Sequence, residues 1–239
     1  MSDLGMQSRL SILASALLLS TAAAAQTHIP ATGLCNTGLT PAGLLLRDCA
    51  TTTLVTPLNP ESGGPSVDGN WELATPYPSA PYNQPAPNPC SLTTFAPAWV
   101  DAPWPGWFNP DDGLSQWITP LVEGPVAAGG WYIYRTIFPI PPIVSGYDEY
   151  ALTVTGQLLA DNTAAAIVLS NASGHQVCRT MAILSGSSQF IAWNPFTFAA
   201  TVLPNHPAYL YFVVYNYEQS NGNPTGLRVE FTSAYFTPE

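Results

Sequence analysis

Between residues 150 and 159 apolar and polar positions alternate: Tyr150, Leu152, Val154 and Leu158 are separated by Ala151, Thr153, Thr155 and Gln157. A period of two sends successive side chains to opposite faces of a strand, one toward a core and one toward solvent. Further strands are expected at 131–138, 164–169, 177–183, 196–200, 209–217 and 227–231. In the last of these, Leu227, Val229 and Phe231 should face the core while Arg228 and Glu230 face water. Turn residues separate the runs: Pro139, Pro141 and Pro142, then Asp161 and Asn162, Ser173 and Gly174, Pro204 and Asn205, and Asn221, Gly222, Asn223 and Pro224. Beyond the leader, no stretch carries the apolar spacing of a long helix. Many short strands at such spacing predict an all-β chain, a sandwich or barrel rather than a parallel α/β sheet.

Upstream, the pattern weakens. Residues 68–125 include Pro76, Pro78, Pro81, Pro85, Pro87 and Pro89 in close succession. Proline fixes φ and removes a backbone donor, so extended loop is expected there, with short strands at 71–73 and 116–118. Residues 26–64 have no clean periodicity and read as an N-terminal arm with one strand at 52–56, ended by a turn at Ser62, Gly63, Gly64 and Pro65. At the start, Arg9 precedes an apolar run from Leu10 to Leu19 and a small-residue stretch ending at Ala25, the layout of a signal peptide cut before Gln26. The run is shorter than the ~20 residues a membrane span requires. The expected organisation is a signal peptide at 1–25, an arm at 26–64 and a β-sandwich domain at 65–239, giving a secreted product, extracellular or periplasmic.

Charge narrows the partners. There is no lysine, and five arginines stand against fifteen acidic residues, for a net charge of −10. Phosphate recognition relies on Lys and Arg to displace counterions, so nucleic acid and anionic membrane surfaces are excluded as partners, and no membrane insertion is expected. Four cysteines, Cys35, Cys49, Cys90 and Cys178, in an exported chain favour disulfides over a zinc site, for which the Cys-x-x-Cys spacing is lacking. Three pairings are open. The favoured one joins Cys35 to Cys49 within the arm and Cys90 to Cys178 between the Pro-rich region and the sandwich.

One resemblance follows from the order of elements. The segment Tyr134-Arg135-Thr136-Ile137-Phe138, the strand leading into Ala160-Asp161-Asn162, the apolar Ile167-Val168-Leu169, then Pro195-Phe196-Thr197-Phe198 and Tyr211-Phe212-Val213-Val214 resemble galactose-binding-like jelly rolls. Such domains include the sugar-binding modules that accompany family 2 glycosidases. Asp68-Gly69-Asn70-Trp71, Ser115-Gln116-Trp117-Ile118 and the closing stretch from Pro224 to Val229 are similar to related sandwiches in secreted bacterial surface proteins. The resemblance spans about residues 68–231 and implies a jelly-roll β-sandwich. It departs after the Ile-Val-Leu strand, where a tight Asn-Gly turn is replaced by Ser170-Asn171-Ala172-Ser173-Gly174 and a long excursion. It therefore implies a fold and not a ligand.

Candidate site residues are aromatic. In the strand 209–217, Leu210, Phe212 and Val214 should point to the core, leaving Tyr209, Tyr211, Tyr215 and Tyr217 on the other face. A row of phenols could stack on and hydrogen-bond a sugar, or the Pro-rich segment could lie across it and bury it as a second small core. Trp104 and Trp107 flank Pro105 and Gly106; they could form a platform, or fold back as plugs. Asp161 and Asn162 are weak candidates for a structural calcium; a plain strand-to-strand turn needs only those residue types and is the favoured reading, since no spaced set of oxygen ligands accompanies them. Adjacent Asp111 and Asp112 read as a solvated turn, and Glu72, Glu149 and Glu230 lie in strand contexts; none forms the pair of facing carboxylates that glycoside hydrolysis needs. No nucleophile elbow is present. Asn171-Ala172-Ser173 matches a glycosylation acceptor.

Three functions fit: a non-enzymatic sandwich that binds carbohydrate or a cell-surface partner, a structural subunit that self-associates through its arm as a homo-oligomer, and a glycan-active enzyme. The first is favoured; an uncharged, aromatic, disulfide-tied surface suits the first and the second alike, and the absence of a legible catalytic pair counts against the third.

Overall fold

The structure, a computed structural model, describes residues 28–38, 66–75, 84–110, 114–121, 124–171, 177–184, 186, 188–217 and 222–239. Its strands are β1 (Ile29–Pro30), β2 (Ser66–Ala74), β3 (Phe95–Val100), β4 (Ile118–Thr119), β5 (Val126–Ala127), β6 (Gly130–Phe138), β7 (Tyr150–Asp161), β8 (Thr163–Asn171), β9 (Val177–Ile183), β10 (Asn194–Val202), β11 (Ala208–Asn216), β12 (Asn223–Pro224) and β13 (Gly226–Pro238). Apart from the pair β5 and β12, they form one antiparallel sheet in the order β10, β7, β13, β4, β3, β2, β6, β11, β8, β9, with β1 added to β13. β4 is only two residues long, so the sheet narrows there and its two broad halves fold over to face each other, nearly closing a barrel. Aromatic contacts bridge the halves: Phe196 to Phe212 at 5.9 Å, Trp71 to Phe231 at 6.3 Å and Phe138 to Phe236 at 6.4 Å between ring centroids. The chain is all-β, as the alternation predicts.

β7 follows the pattern residue by residue, with Tyr150, Leu152, Val154 and Leu158 buried and the intervening Ala151, Thr153, Thr155 and Gln157 half-exposed. Gly156 occupies a place no side chain could share: a Cβ there would lie 2.5 Å from the Glu230 carbonyl oxygen and 2.7 Å from Phe196 Cζ. β13 runs to Pro238, well past the expected end at 231. A register shift between Phe231 and Ser233 changes which residues face inward, so Leu227 and Val229 fill the core before it and Phe236 after it.

Two expectations need correction. β3 lies in the interior of the sheet although it carries Pro97 and sits in the proline-dense region. β4 reaches only Trp99 and Val100, so at Pro97 the strand pairs with β2 alone, and the missing proline donor is tolerated. Arg228 and Glu230 do not face water; both are buried, at 1% and 3% exposure, because the segment leading to β4 lies across that face of β13.

The described part of the arm is bound to its own domain. β1 pairs with the end of β13, Thr37 N donates to the Val229 carbonyl at 3.2 Å, and Asn36 Oδ1 accepts from Phe231 N at 2.8 Å. Asp68 secures it from the other side: Oδ2 accepts from Gly38 N at 2.6 Å, while Oδ1 accepts from the amides of Asn70 and Trp71 at 2.8 and 3.2 Å. Cys90 and Cys178 form a disulfide with 6.0 Å between Cα atoms. Cys35 is disulfide-bonded as well; its expected partner Cys49 lies outside the described residues, as do the expected signal peptide at 1–25, residues 39–64 of the expected arm, and Asp111 and Asp112. Among the described residues, no helix is long and apolar enough to cross a membrane.

Candidate binding surface

Trp104, Pro105, Gly106 and Trp107 form a tight turn in which Trp107 N donates to the Trp104 carbonyl at 2.9 Å. Proline supplies the fixed φ at the second position, and Gly106, at φ +97°, takes the left-handed conformation the third requires. The two tryptophans diverge from this turn. Trp107 is buried: its ring stacks on Trp117 with centroids 4.1 Å apart, and its Nε1 donates to Asp161 Oδ2 at 2.6 Å. The ring lies against Gly226, where a Cβ would come within 2.9 Å of Trp107 Cη2. Trp104 stays 41% exposed, and next along the loop Phe108 is 39% exposed.

Phe108 is fixed through its backbone. Its amide donates to the Phe190 carbonyl at 2.7 Å, and its own carbonyl accepts from Trp117 Nε1 at 3.3 Å. Its ring meets Trp193 edge to face at 6.3 Å, and Trp193 sits on the turn before β10 beside exposed Ile191. Two loops thus present a rigid aromatic edge, with the exposed Asn109 following Phe108.

Under the loop lies the pair Arg228 and Glu230. Arg228 Nε donates to Ser115 Oγ at 2.6 Å and Nη1 to Asn109 Oδ1 at 2.7 Å; Nη2 reaches the Pro110 carbonyl at 3.3 Å and Glu230 Oε1 at 3.5 Å. Ser115 Oγ donates to Glu230 Oε1 at 2.7 Å and Gln157 Nε2 donates to Oε2 at 2.8 Å. The guanidinium also stands 5.3 Å from the Trp193 ring centroid. A buried ion pair survives only when its remaining hydrogen-bonding sites are filled, and here they are. The cluster therefore holds the loop to β13.

The tyrosine row lies at a different place. Tyr211 and Tyr215 are buried in a second cluster with Trp131, Ile133, Val168 and Val213, covered by Cys90, Leu92 and Phe95 of the Pro-rich region. Burial raises the Tyr211 hydroxyl above its ordinary pKa. Tyr209 is half-buried, stacked on Tyr211 at 6.3 Å, and Arg135 lies between its ring and that of Phe95 at 5.2 and 3.5 Å while paired to Glu72 at 2.7 Å. Of the five aromatic site candidates, Tyr211, Tyr215 and Trp107 are thus covered, Tyr209 is partly accessible and Trp104 is open.

Asp161 and Asn162, joined by a cis peptide bond, close the β7–β8 turn. Asp161 accepts from Trp107 and from the Asn162 amide, and burial pushes its pKa up to about 6 against these stabilising bonds. Asn162 Oδ1 accepts from Tyr217 N at 2.6 Å and Asn223 Nδ2 at 2.5 Å, tying three turns together. Among the described residues, no three His, Cys, Asp or Glu side chains converge as metal ligands would. Asn171, the acceptor of the glycosylation motif, is buried, with Oδ1 accepting from Leu203 N at 2.7 Å.

Phe108 and Trp193 are the site residues that sequence reasoning did not single out. The available signal was their aromatic identity within turn-rich segments; the contact between their two loops leaves no mark on local pattern. No protein-family model matches the chain, and no curated protein matches it.

Proposed function

We propose that this protein is an exported, non-enzymatic carbohydrate-binding sandwich that takes its ligand on the edge formed by Trp104 and Phe108, backed by Trp193. The same reading takes the fold as a galactose-binding-like jelly roll, on the order of its motifs. The observation that carries it is the contrast within one turn: Trp107 is anchored at three points while Trp104 and Phe108 remain about two-fifths exposed. Sugars offer apolar C–H faces rimmed with hydroxyls, and rigid aromatic rings beside the exposed side chain of Asn109 suit both parts. Because the loop is already ordered by the Arg228 cluster, binding incurs little conformational entropy cost. A neutral aromatic edge on an acidic chain also favours uncharged glycans over sulfated or uronic ones, which the net charge of −10 would repel.

A glycan array probed with the mature protein tests the proposal. Retention of neutral glycans is expected, with loss of at least ten-fold in affinity for the Trp104→Ala, Phe108→Ala double variant at unchanged melting temperature. No retained glycan, or equal retention by the double variant, would overturn it.

A further inference from the structure

The sheet does not close: its path ends on β9 at one side and β10 at the other. At one end of this seam is a partly enclosed cavity of about 140 Å³, lined by Glu149, Leu169, Asn171, Arg179, Thr201 and Leu203. Arg179 is placed there by register. It stands opposite Leu169 in the β8–β9 ladder, and directly paired residues share a face, so the arginine of this edge strand is directed to the inner side with a buried leucine as its neighbour. Across the cavity, Glu149 is held by backbone bonds of its segment, from Glu239 N to the Glu149 carbonyl at 3.0 Å and from Asp148 N to a main-chain oxygen of Glu239 at 3.3 Å. The Leu203 wall is fixed by Asn171.

The charges at this cavity differ from those elsewhere. In a chain with few cations, Arg135 is paired to Glu72 and Arg228 to Glu230. Among the described residues, Arg179 and Glu149 form no ion pair, with each other or with any other group, although they line the same space. One unneutralised cation and one unneutralised anion are thus separated by a gap with an apolar floor.

We propose that this seam binds a small zwitterionic amino acid, its carboxylate on Arg179, its ammonium on Glu149 and its side chain against Leu169 and Leu203. The planar guanidinium fork matches a carboxylate. A simple anion would satisfy Arg179 but meet repulsion from Glu149, and a simple cation the reverse; only a ligand bearing both charges neutralises both walls. The volume suits a single amino acid and is too small for an oligosaccharide, so the site is independent of the aromatic edge.

Calorimetric titration with glycine, L-valine, β-alanine and γ-aminobutyrate, with acetate and methylammonium as controls, tests the assignment. At least one amino acid should bind saturably while neither control does, the preferred member of the series reporting the distance between the charges. Arg179→Ala and Glu149→Gln should each weaken that binding about ten-fold or more, the loss expected for a charged hydrogen bond, and Arg179→Lys by less. Both side chains reach solvent, so the variants should keep the wild-type melting temperature. Absence of saturable binding by all four amino acids would overturn the proposal, as would binding indifferent to both substitutions. Self-association of Arg179→Ala without any ligand effect would also overturn it, assigning the arginine to protection of an open sheet edge.

Discussion

At the scale of single residues, the informative contrast is between two tryptophans separated by Pro-Gly. The dipeptide suits the turn found there, a fixed φ followed by a positive φ. Which ring turned inward was not legible, since turn chemistry sets the path of the backbone and says nothing of what lies on either side. The decision rests with Asp161, Trp117 and Gly226, each remote in sequence from the turn. The consequence is measurable by urea unfolding. Trp107→Ala removes a stacked ring and takes the indole donor from a buried carboxylate, and should cost about 3–5 kcal/mol. Trp104→Ala should change stability by less than about 0.5 kcal/mol, as an exposed side chain outside the packing. Equal effects would mean that the turn anchors the loop by its backbone alone.

At the scale of elements, period two was a sound guide to existence and a poor guide to environment. Together with the turn residues between runs it found β7, β8, β9, β10 and β11 with ends within two residues, and it sorted Tyr209, Tyr211 and Tyr215 onto a face separate from Leu210, Phe212 and Val214. It also placed Arg228 and Glu230 together on one face of β13. What alternation could not state is what covers a face. Both covers come from proline-dense segments without periodicity: the stretch through Cys90 and Phe95 lies over the tyrosines, and the loop through Asn109 and Ser115 lies over the ion pair. β3 stayed hidden for the related reason that Pro97 argues locally against a strand that β4 leaves one-sided at that point. Burial of the pair makes a prediction that an exposed pair would not. Glu230→Gln keeps the shape but strands the Arg228 charge, and should lower stability by about 3–5 kcal/mol, whereas exposed pairs are worth about 1 kcal/mol or less. The Arg228→Leu, Glu230→Leu double variant should recover much of that loss, because an apolar pair carries no desolvation penalty. Denaturant midpoints of the three proteins decide it.

At the scale of the whole molecule, Asp161 couples the loop and the turns to proton concentration. Its carboxyl lies where β7, the Trp107 loop and the Asn162 turn meet, and burial holds its pKa at about 6 against 3.8 for an ordinary aspartate. A raised folded-state value means that the folded protein binds this proton more tightly than the unfolded chain does. Stability contributed by the group is therefore fully present below pH 4, declines as pH rises from 4 through 6, and is absent above, where a charged carboxylate must stay buried. Over that window the change should be on the order of 2–3 kcal/mol. The native protein carries further carboxylates, so its stability alone is a mixed signal. Comparison with Asp161→Asn isolates the group, since asparagine keeps an acceptor for Trp107 Nε1 and cannot ionise. The variant should be close to the native protein at pH 4 and more stable than it above pH 6, the difference growing between. A constant difference across pH 4–7 would show that Asp161 does not carry a buried charge at the junction, and that the indole bond is made to an acid whose ionisation the fold leaves undisturbed.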